Sequence, residues 1–341
     1  MTLRIWFNRT FATAIHYVEM IRNNPDDLKV EIYATHPKRH SLMLQAADYS
    51  ELEPTLPMDE YVQYCLDFCR KHQIDVFFPH YGLTDIAPYI EDFNQIRTKV
   101  MLSGDPELLK IVSDKGELFN KLADIEGLHI PEHYVVTTLD EFERAYTNLL
   151  TKGLDVCVKP VTGEGGAGFR IIDNAPPTIQ SLYESVKPRI YIGDILRLLE
   201  EHKGPVAPLM IMEHLKGSEY SVDCLGTKQQ LLAAVPRKKV EGRIRALEDN
   251  NDLIRLSTAI HRRLPLQYNF NIQFIYQGDT PKLLEINPRM SGGMYTSCLS
   301  GVNFPYLALK LLLGRDVPIQ EYQLNIMATH YEKEIILKHH L

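Results

Sequence analysis

The sequence predicts an α/β protein in two parts: a small doubly wound domain over about residues 1–105, then a larger domain of paired strands and longer helices over 106–341. Three observations carry this reading. Apolar runs of strand length alternate with helical patterns through the first hundred residues. Ser103-Gly104-Asp105-Pro106 punctuates the chain where that alternation stops. From Asp114 onward, longer helices separate pairs of strands. At 341 residues and 45% hydrophobic content the chain can bury a large core in two or three domains or subdomains.

In chain order, Leu3 to Phe7 reads as the first strand, Phe11 to Ile21 as a helix and Val30 to Tyr33 as a second strand. Tyr61 to Lys71 is helical, Ile74 to Phe78 is strongly β-prone, and Val100-Met101-Leu102 closes the first part, in the layout of a doubly wound sheet. The turn after the first strand, Asn8-Arg9-Thr10-Phe11-Ala12, contains no glycine, so a Gly-x-Gly-x-x-Gly dinucleotide fingerprint is absent. Lys115 to Ile125 and Asp140 to Leu150 are helices on either side of the strand Tyr134 to Thr137. Asp155 to Lys159 and Phe169 to Ile172 flank a glycine-rich loop as a hairpin. Strands follow at Leu209 to Glu213, Glu219 to Leu225 and Leu231 to Val235, then a helix near Asp249 to Arg263, then a hairpin of Asn271 to Tyr276 and Lys282 to Ile286.

A net charge of -7 and a pI of about 6.0 supply no overall basic field, so nucleic acid is not an expected partner despite the local run Arg237-Lys238-Lys239. The opening residues lack the length and flanks of a signal peptide, and no stretch approaches the roughly 18 apolar residues of a membrane span, which makes the cytoplasm the expected location. Five scattered cysteines fit a reducing compartment; Cys65 and Cys69, four apart on a helix, read as buried thiols rather than half a metal site. A homodimer is the expected assembly only because it is the commonest one.

Two clusters carry the chemistry. The first is Lys159 followed by Gly163, Gly165, Gly166 and Gly168. These glycines can take positive φ, turning successive N–H groups toward a polyphosphate, and the lysine adds a compact cation. The loop joins strand to strand and lacks the Gly-Lys-Ser/Thr ending of a Walker-type P-loop. Taken alone, it reads equally well as a surface hairpin with a chance lysine. The second cluster is Glu285-Ile286-Asn287-Pro288-Arg289, preceded by Gln273 on the partner strand. Glu285 and Asn287, two apart, share a strand face and with Gln273 offer hard oxygen donors to Mg²⁺, or to Mn²⁺ in its place. Arg289 follows the same alternation toward a phosphoryl group, or else forms a salt bridge at a strand end, and the turn at Gly292 and Gly293 allows close approach of a substrate.

These motifs together resemble the ATP-grasp superfamily of ligases, in the flavour of the carbamoyl-phosphate synthetase large chain and related carboxylate-amine ligases. The resemblance covers Ser113 through Gly314. It implies two α+β subdomains gripping ATP, with a lid over about 130–208 and a C-terminal subdomain over about 209–341, and the glycine loop as part of that lid. It assigns Lys115 as a second ATP-contacting lysine, which spacing alone makes only a helix-start residue beside Asp114. It also assigns Glu213, His214 and Leu215 as the adenine-binding connector, and Glu219 as a ribose ligand. Arg237, Arg243 and Arg245 fall where relatives place cations near phosphate or substrate, although a solvated charge run fits them equally. The implied reaction is ADP-forming ligation, with Lys159 and Arg289 as catalytic cations: a small-molecule carboxylate becomes an acyl phosphate, which an amine, or a thiol, then attacks. The rival reading is a regulatory or scaffold protein that binds ATP without forming a bond.

Overall fold

The computed structural model describes residues 2–163 and 166–337. Contacts divide it into two compact units: Met1–Lys110 with Glu219–Gln273 and Ile286–Leu341, and Ile111–Ser218 with Phe274–Glu285.

In the first unit, five parallel strands, β1 (Leu3–Asn8), β2 (Val30–His36), β3 (Tyr49–Leu52), β4 (Val76–Phe78) and β5 (Lys99–Val100), lie in the order β3-β2-β1-β4-β5. Alternation sorts their side chains onto two buried faces. Ile5, Phe7, Val76 and Phe78 pack with Val18 and Ile21 of the helix Ala14–Arg22. Trp6 and Phe77 face the other way, and Trp6 stacks on Phe77 at 4.1 Å and on Phe68 at 4.3 Å. Both faces being covered is the doubly wound arrangement read from the sequence. The glycine-free turn after β1 is made by Arg9, which takes φ of 41°. Its guanidinium hydrogen-bonds Glu53, donates to the Pro54 carbonyl at 3.1 Å and lies 4.0 Å from the Tyr81 ring centre. The expected helix start at Phe11 moves to Ala14, because residues 11–13 are used by that turn.

In the second unit, β6 (His133–Val136), β7 (Val156–Pro160), β8 (Arg170–Asp173), β9 (Arg189–Tyr191) and β10 (Leu209–Glu213) form a sheet in the order β6-β10-β7-β8-β9. β7 and β8 are antiparallel, the hairpin predicted around the glycine loop. The helix Leu139–Thr151 begins with a capping box, Thr138 and Glu141, and packs Phe142 and Leu149 against Val156, Val158 and Ile211. The helix Ile192–His202 and β9 were not anticipated.

A third sheet, of β11 (Glu219–Gly226), β12 (Leu231–Glu241), β13 (Ile244–Leu247), β14 (Tyr268–Gln277), β15 (Thr280–Asn287) and β16 (Ile326–Ala328), has the order β15-β14-β11-β12-β13-β16. The tip of the β14–β15 hairpin, Phe274–Glu285, is counted with the second unit. β12 continues six residues past the Val235 end expected from the sequence. Pro236 does not stop it: it lies opposite Val222, and its carbonyl still accepts from the Glu248 N–H at 3.2 Å.

Tight backbone packing holds the hairpin tip within the second unit. A Cβ on Gly217 would lie 1.8 Å from the Tyr276 carbonyl oxygen. Gly217→Ala should therefore destabilise the chain by about 3 kcal/mol, the upper end of overpacking costs, as read by urea unfolding.

All five cysteines are buried free thiols. Cys65 and Cys69 share the inner face of the helix Met58–His72, and burial raises the pKa of both. Among the described residues, no helix is long and apolar enough to cross a membrane.

Candidate functional site

Within the second unit, three chain segments bring charged groups together. Asp114 caps the helix Lys115–Leu122, accepting from the N–H groups of Gly116 at 2.9 Å and Glu117 at 3.0 Å. That cap sets Lys115 at the first helical position, where its side chain is only 8% exposed. The Lys115 ammonium donates to the Gly163 carbonyl at 2.9 Å and lies 3.9 Å from Glu285 Oε2. It therefore ties the start of the glycine loop to the acid on β15.

Lys159 projects from β7 on the same strand face as Cys157 and is 8% exposed. Burial, reinforced by the charge of Lys115 and opposed by that of Glu285, pushes its pKa down from 10.5 to about 8. Lys159 also counteracts the effect of burial on Cys157, whose thiol is nevertheless raised to about 12. Two ammonium groups and one carboxylate leave this cluster one positive charge in excess, which suits a polyanion. Gly163, Gly166 and Gly168 have φ of 121°, 73° and 74°. At Gly168 a Cβ would also meet Pro160 Cδ at 2.6 Å, so both conformation and space call for glycine. Gly165 lies outside the described residues.

The proposed connector follows β10. The Glu213 N–H donates to the Glu132 carbonyl at 2.9 Å, and the His214 N–H to the Asp155 carbonyl at 2.7 Å. The buried Glu213 carboxylate is ion-paired with Lys282 and accepts from the Glu132 N–H at 3.2 Å. Lys282, a partner that sequence reasoning missed, thus latches the connector to β15. Burial and the nearby Lys216 lower the pKa of His214, whose ring centre is 6.2 Å from that of Phe169 in the glycine loop. Leu215 is buried.

The first unit holds the remaining expected residues. Gln273 is half-buried on β14 and Asn287 is buried at the end of β15. Arg289, just beyond, donates to the Met290 carbonyl at 3.2 Å and lies 5.8 Å from the Phe11 ring centre. Its charge adds to burial in pushing the pKa of His80 down to about 3, which keeps that imidazole neutral. Glu219 accepts from Lys239 at 3.2 Å. Arg243 is ion-paired with Glu332 on the surface, and Arg245 donates to the carbonyls of Gly242 and Ile244, both at 2.9 Å. The Gly292 carbonyl accepts from the Thr13 hydroxyl at 2.9 Å.

Arg237 is buried, with Nε 3.2 Å and Nη2 3.1 Å from Asp223 Oδ2. Asp223, fully buried, also accepts from Ser297 at 2.6 Å, Ser291 at 2.7 Å and Asn271 at 2.8 Å. The signal that could have found it is an acid within the apolar run Tyr220-Ser221-Val222-Asp223-Cys224-Leu225.

Among the described residues, no group of three or more His, Cys, Asp or Glu side chains could hold a metal ion. The expected donor set, Glu285 with the amides Asn287 and Gln273, contains one carboxylate and is of a different kind.

A family model described as ATP-grasp in the biosynthetic pathway with Ter operon matches residues 205–334. The carbamoyl phosphate synthase large chain of Clostridium acetobutylicum is 23% identical over 228 residues, 62% of this chain and 19% of that one. The chain of the same name from Saccharolobus islandicus is 24% identical over 218 residues, 60% of this chain and again 19% of the relative. This chain thus matches about a fifth of the length of those relatives. Among solved structures, the ADP complex of N5-carboxyaminoimidazole ribonucleotide synthetase superposes with a TM-score of 0.68 over 95% of this chain and 80% of that one, at 12% identity. A biotin carboxylase complex from Campylobacter jejuni gives 0.69 over 95% and 74%, at 16% identity. The chain has the ATP-grasp fold, and in sequence it is similar to the carbamoyl phosphate synthase large chain.

Proposed function

We propose that the protein is an ATP-dependent carboxylate-amine ligase that forms an acyl phosphate and releases ADP and phosphate. The observation that carries this reading is the meeting of Lys115, Lys159 and Glu285 at the root of the glycine loop: Lys115 Nζ is 3.9 Å from Glu285, and both charges are felt by Lys159. Two cations and one hard-metal ligand at the root of a glycine loop make a receptor for a metal-bound triphosphate. The connector Glu213, His214 and Leu215 would take the adenine edge and Glu219 the ribose.

Glu285, with Asn287 and Gln273, has the oxygen chemistry to hold Mg²⁺ or Mn²⁺, which when bound offsets phosphate charge. The chain's own groups supply the rest. Lys159 and Arg289 would stabilise negative charge on the transferring phosphoryl oxygens, and closure of the glycine loop over the nucleotide would exclude water. A substrate carboxylate oxygen forms a bond to the γ-phosphorus as the bond to ADP breaks; an amine then attacks the acyl carbon and phosphate leaves.

ADP release would be measured with Mg-ATP and pools of amino acids or small carboxylates, with hydroxylamine present to trap the acyl phosphate. Hydroxamate together with ADP is the expected result. AMP and pyrophosphate would overturn the mechanism, and tight ATP binding without turnover on any pool would make the protein a nucleotide sensor.

The depressed pKa of Lys159 gives a second handle. A bound polyphosphate favours the charged lysine, so ADP binding should take up protons near pH 8 and weaken above it. Titration calorimetry in buffers of different ionisation heat reads that uptake. The stability effect has the opposite sense. The folded state holds fewer protons than the unfolded one between about 8 and 10.5, so the burial penalty is present in full below pH 8 and is relieved as pH rises to 10.5.

A further inference from the structure

The network around Asp223 lies wholly within the first unit and joins five pieces of chain. Asp223 on β11 and Arg237 on β12 are diagonal neighbours, since Asp223 pairs with Val235 and Ser221 with Arg237, and their side chains share one face of the sheet. Asn271 approaches from β14, Ser291 from the turn after β15 and Ser297 from the helix Met294–Cys298. Five donor atoms converge on two carboxyl oxygens that are fully removed from solvent. Arg237 also donates to both serine hydroxyls, at 3.3 Å to Ser291 and 3.2 Å to Ser297. The turn is held from the other side by Tyr17, whose hydroxyl donates to the Ser291 carbonyl, and by Thr13 on Gly292. Gly293 completes the fit: a Cβ there would lie 2.5 Å from Arg237 Nη1. The φ of Gly293 is −102°, so space rather than backbone conformation calls for glycine.

A buried ion pair contributes little net stability compared with apolar packing, and its best-attested use is to fix one arrangement among several. Here the arrangement that is fixed is the turn over residues 288–297, which begins one residue after Asn287 and carries Arg289. We infer that Asp223 and Arg237 are positioning residues: their network holds the 288–297 turn, and with it Arg289, in a single register, and Arg237 is a structural cation of that turn rather than a contact for substrate. The inference rests on the ligase reading only for what the turn is used for.

The test is hydrogen–deuterium exchange on the full chain, comparing the parent with Ser291→Ala, Ser297→Ala and Gly293→Ala. The serine variants each remove one donor from Asp223, and Gly293→Ala displaces the guanidinium without touching the carboxylate. Exchange across 288–300 is expected to quicken at least about tenfold in all three, with β1, β2 and the second-unit sheet unchanged. Unchanged exchange in that segment overturns the inference, as does an equal increase throughout the protein, which would make the network a general core element. Where the parent turns over ATP, kcat should fall with the KM for ATP held within about twofold, the signature of misplaced transfer groups with intact nucleotide binding. A parent that turns over nothing leaves the exchange result decisive for the network and counts against the ligase reading alone.

Discussion

Lys159→Met is expected to lower kcat/KM for ATP-dependent ADP release about a thousandfold, roughly 4 kcal/mol of transition-state stabilisation. The substitution keeps the length of the stem and removes a cation that the fold has buried beside Lys115 and Glu285. A buried cation acts through a less screened field than a surface one, which is why so large an effect is expected from a single charge. Lys159→Arg should rescue poorly: a guanidinium is planar and wider than an ammonium, and the residue sits in a strand whose neighbours leave it 8% exposed. The fold should survive, since relieving the mutual repulsion with Lys115 offsets the lost attraction to Glu285. Unchanged melting with full activity would remove Lys159 from the mechanism.

Asp223→Ala should have the largest effect on stability, about 3–5 kcal/mol in urea unfolding, because it removes the carboxylate that neutralises the buried Arg237 guanidinium, leaving that cation only the two neutral serine hydroxyls, and takes the acceptor from Asn271, Ser291 and Ser297. The double variant Asp223→Ala, Arg237→Met should recover a large part of that loss, since it removes the uncompensated charge along with its partner. A double variant no more stable than the single one would show that the cost lies in packing rather than in the orphaned cation.

The sequence carries the parts of this protein that periodicity and spacing encode. β1, β4, β7, β10 and the β14–β15 hairpin are apolar or alternating runs, and each forms where its pattern lies. Lys159 and Glu285 stand out because the lysine precedes a glycine cluster and the acid shares a strand face with an asparagine two residues on. Their proximity through Lys115 is a tertiary fact that spacing alone does not contain. Lys282 looks like an ordinary strand lysine until β15 places it against Glu213. Asp223 and Arg237 are 14 residues apart, and only the β11–β12 register makes them diagonal neighbours. The extension of β12 through Pro236 was illegible for a related reason. Proline ends a strand only when its missing N–H is needed, and that depends on which neighbour lies on that side. Arg9 at φ of 41° is likewise held by Glu53 and the Tyr61 and Tyr81 rings, none of them local in sequence.

The discontinuity of the first unit has a consequence for how the protein is made. Its largest core cluster mixes Ile5, Phe7, Val18 and Ile21 with Leu225, Val235, Phe304 and Leu309. During vectorial synthesis the opening segment leaves the ribosome with one apolar flank bare, and its cover is translated some two hundred residues later; at about 5–20 residues per second that is a wait of roughly ten seconds or more. Over that interval the nascent chain is a natural client for holdase chaperones, and a stop codon placed before Phe304 should yield an aggregating product rather than a smaller folded one.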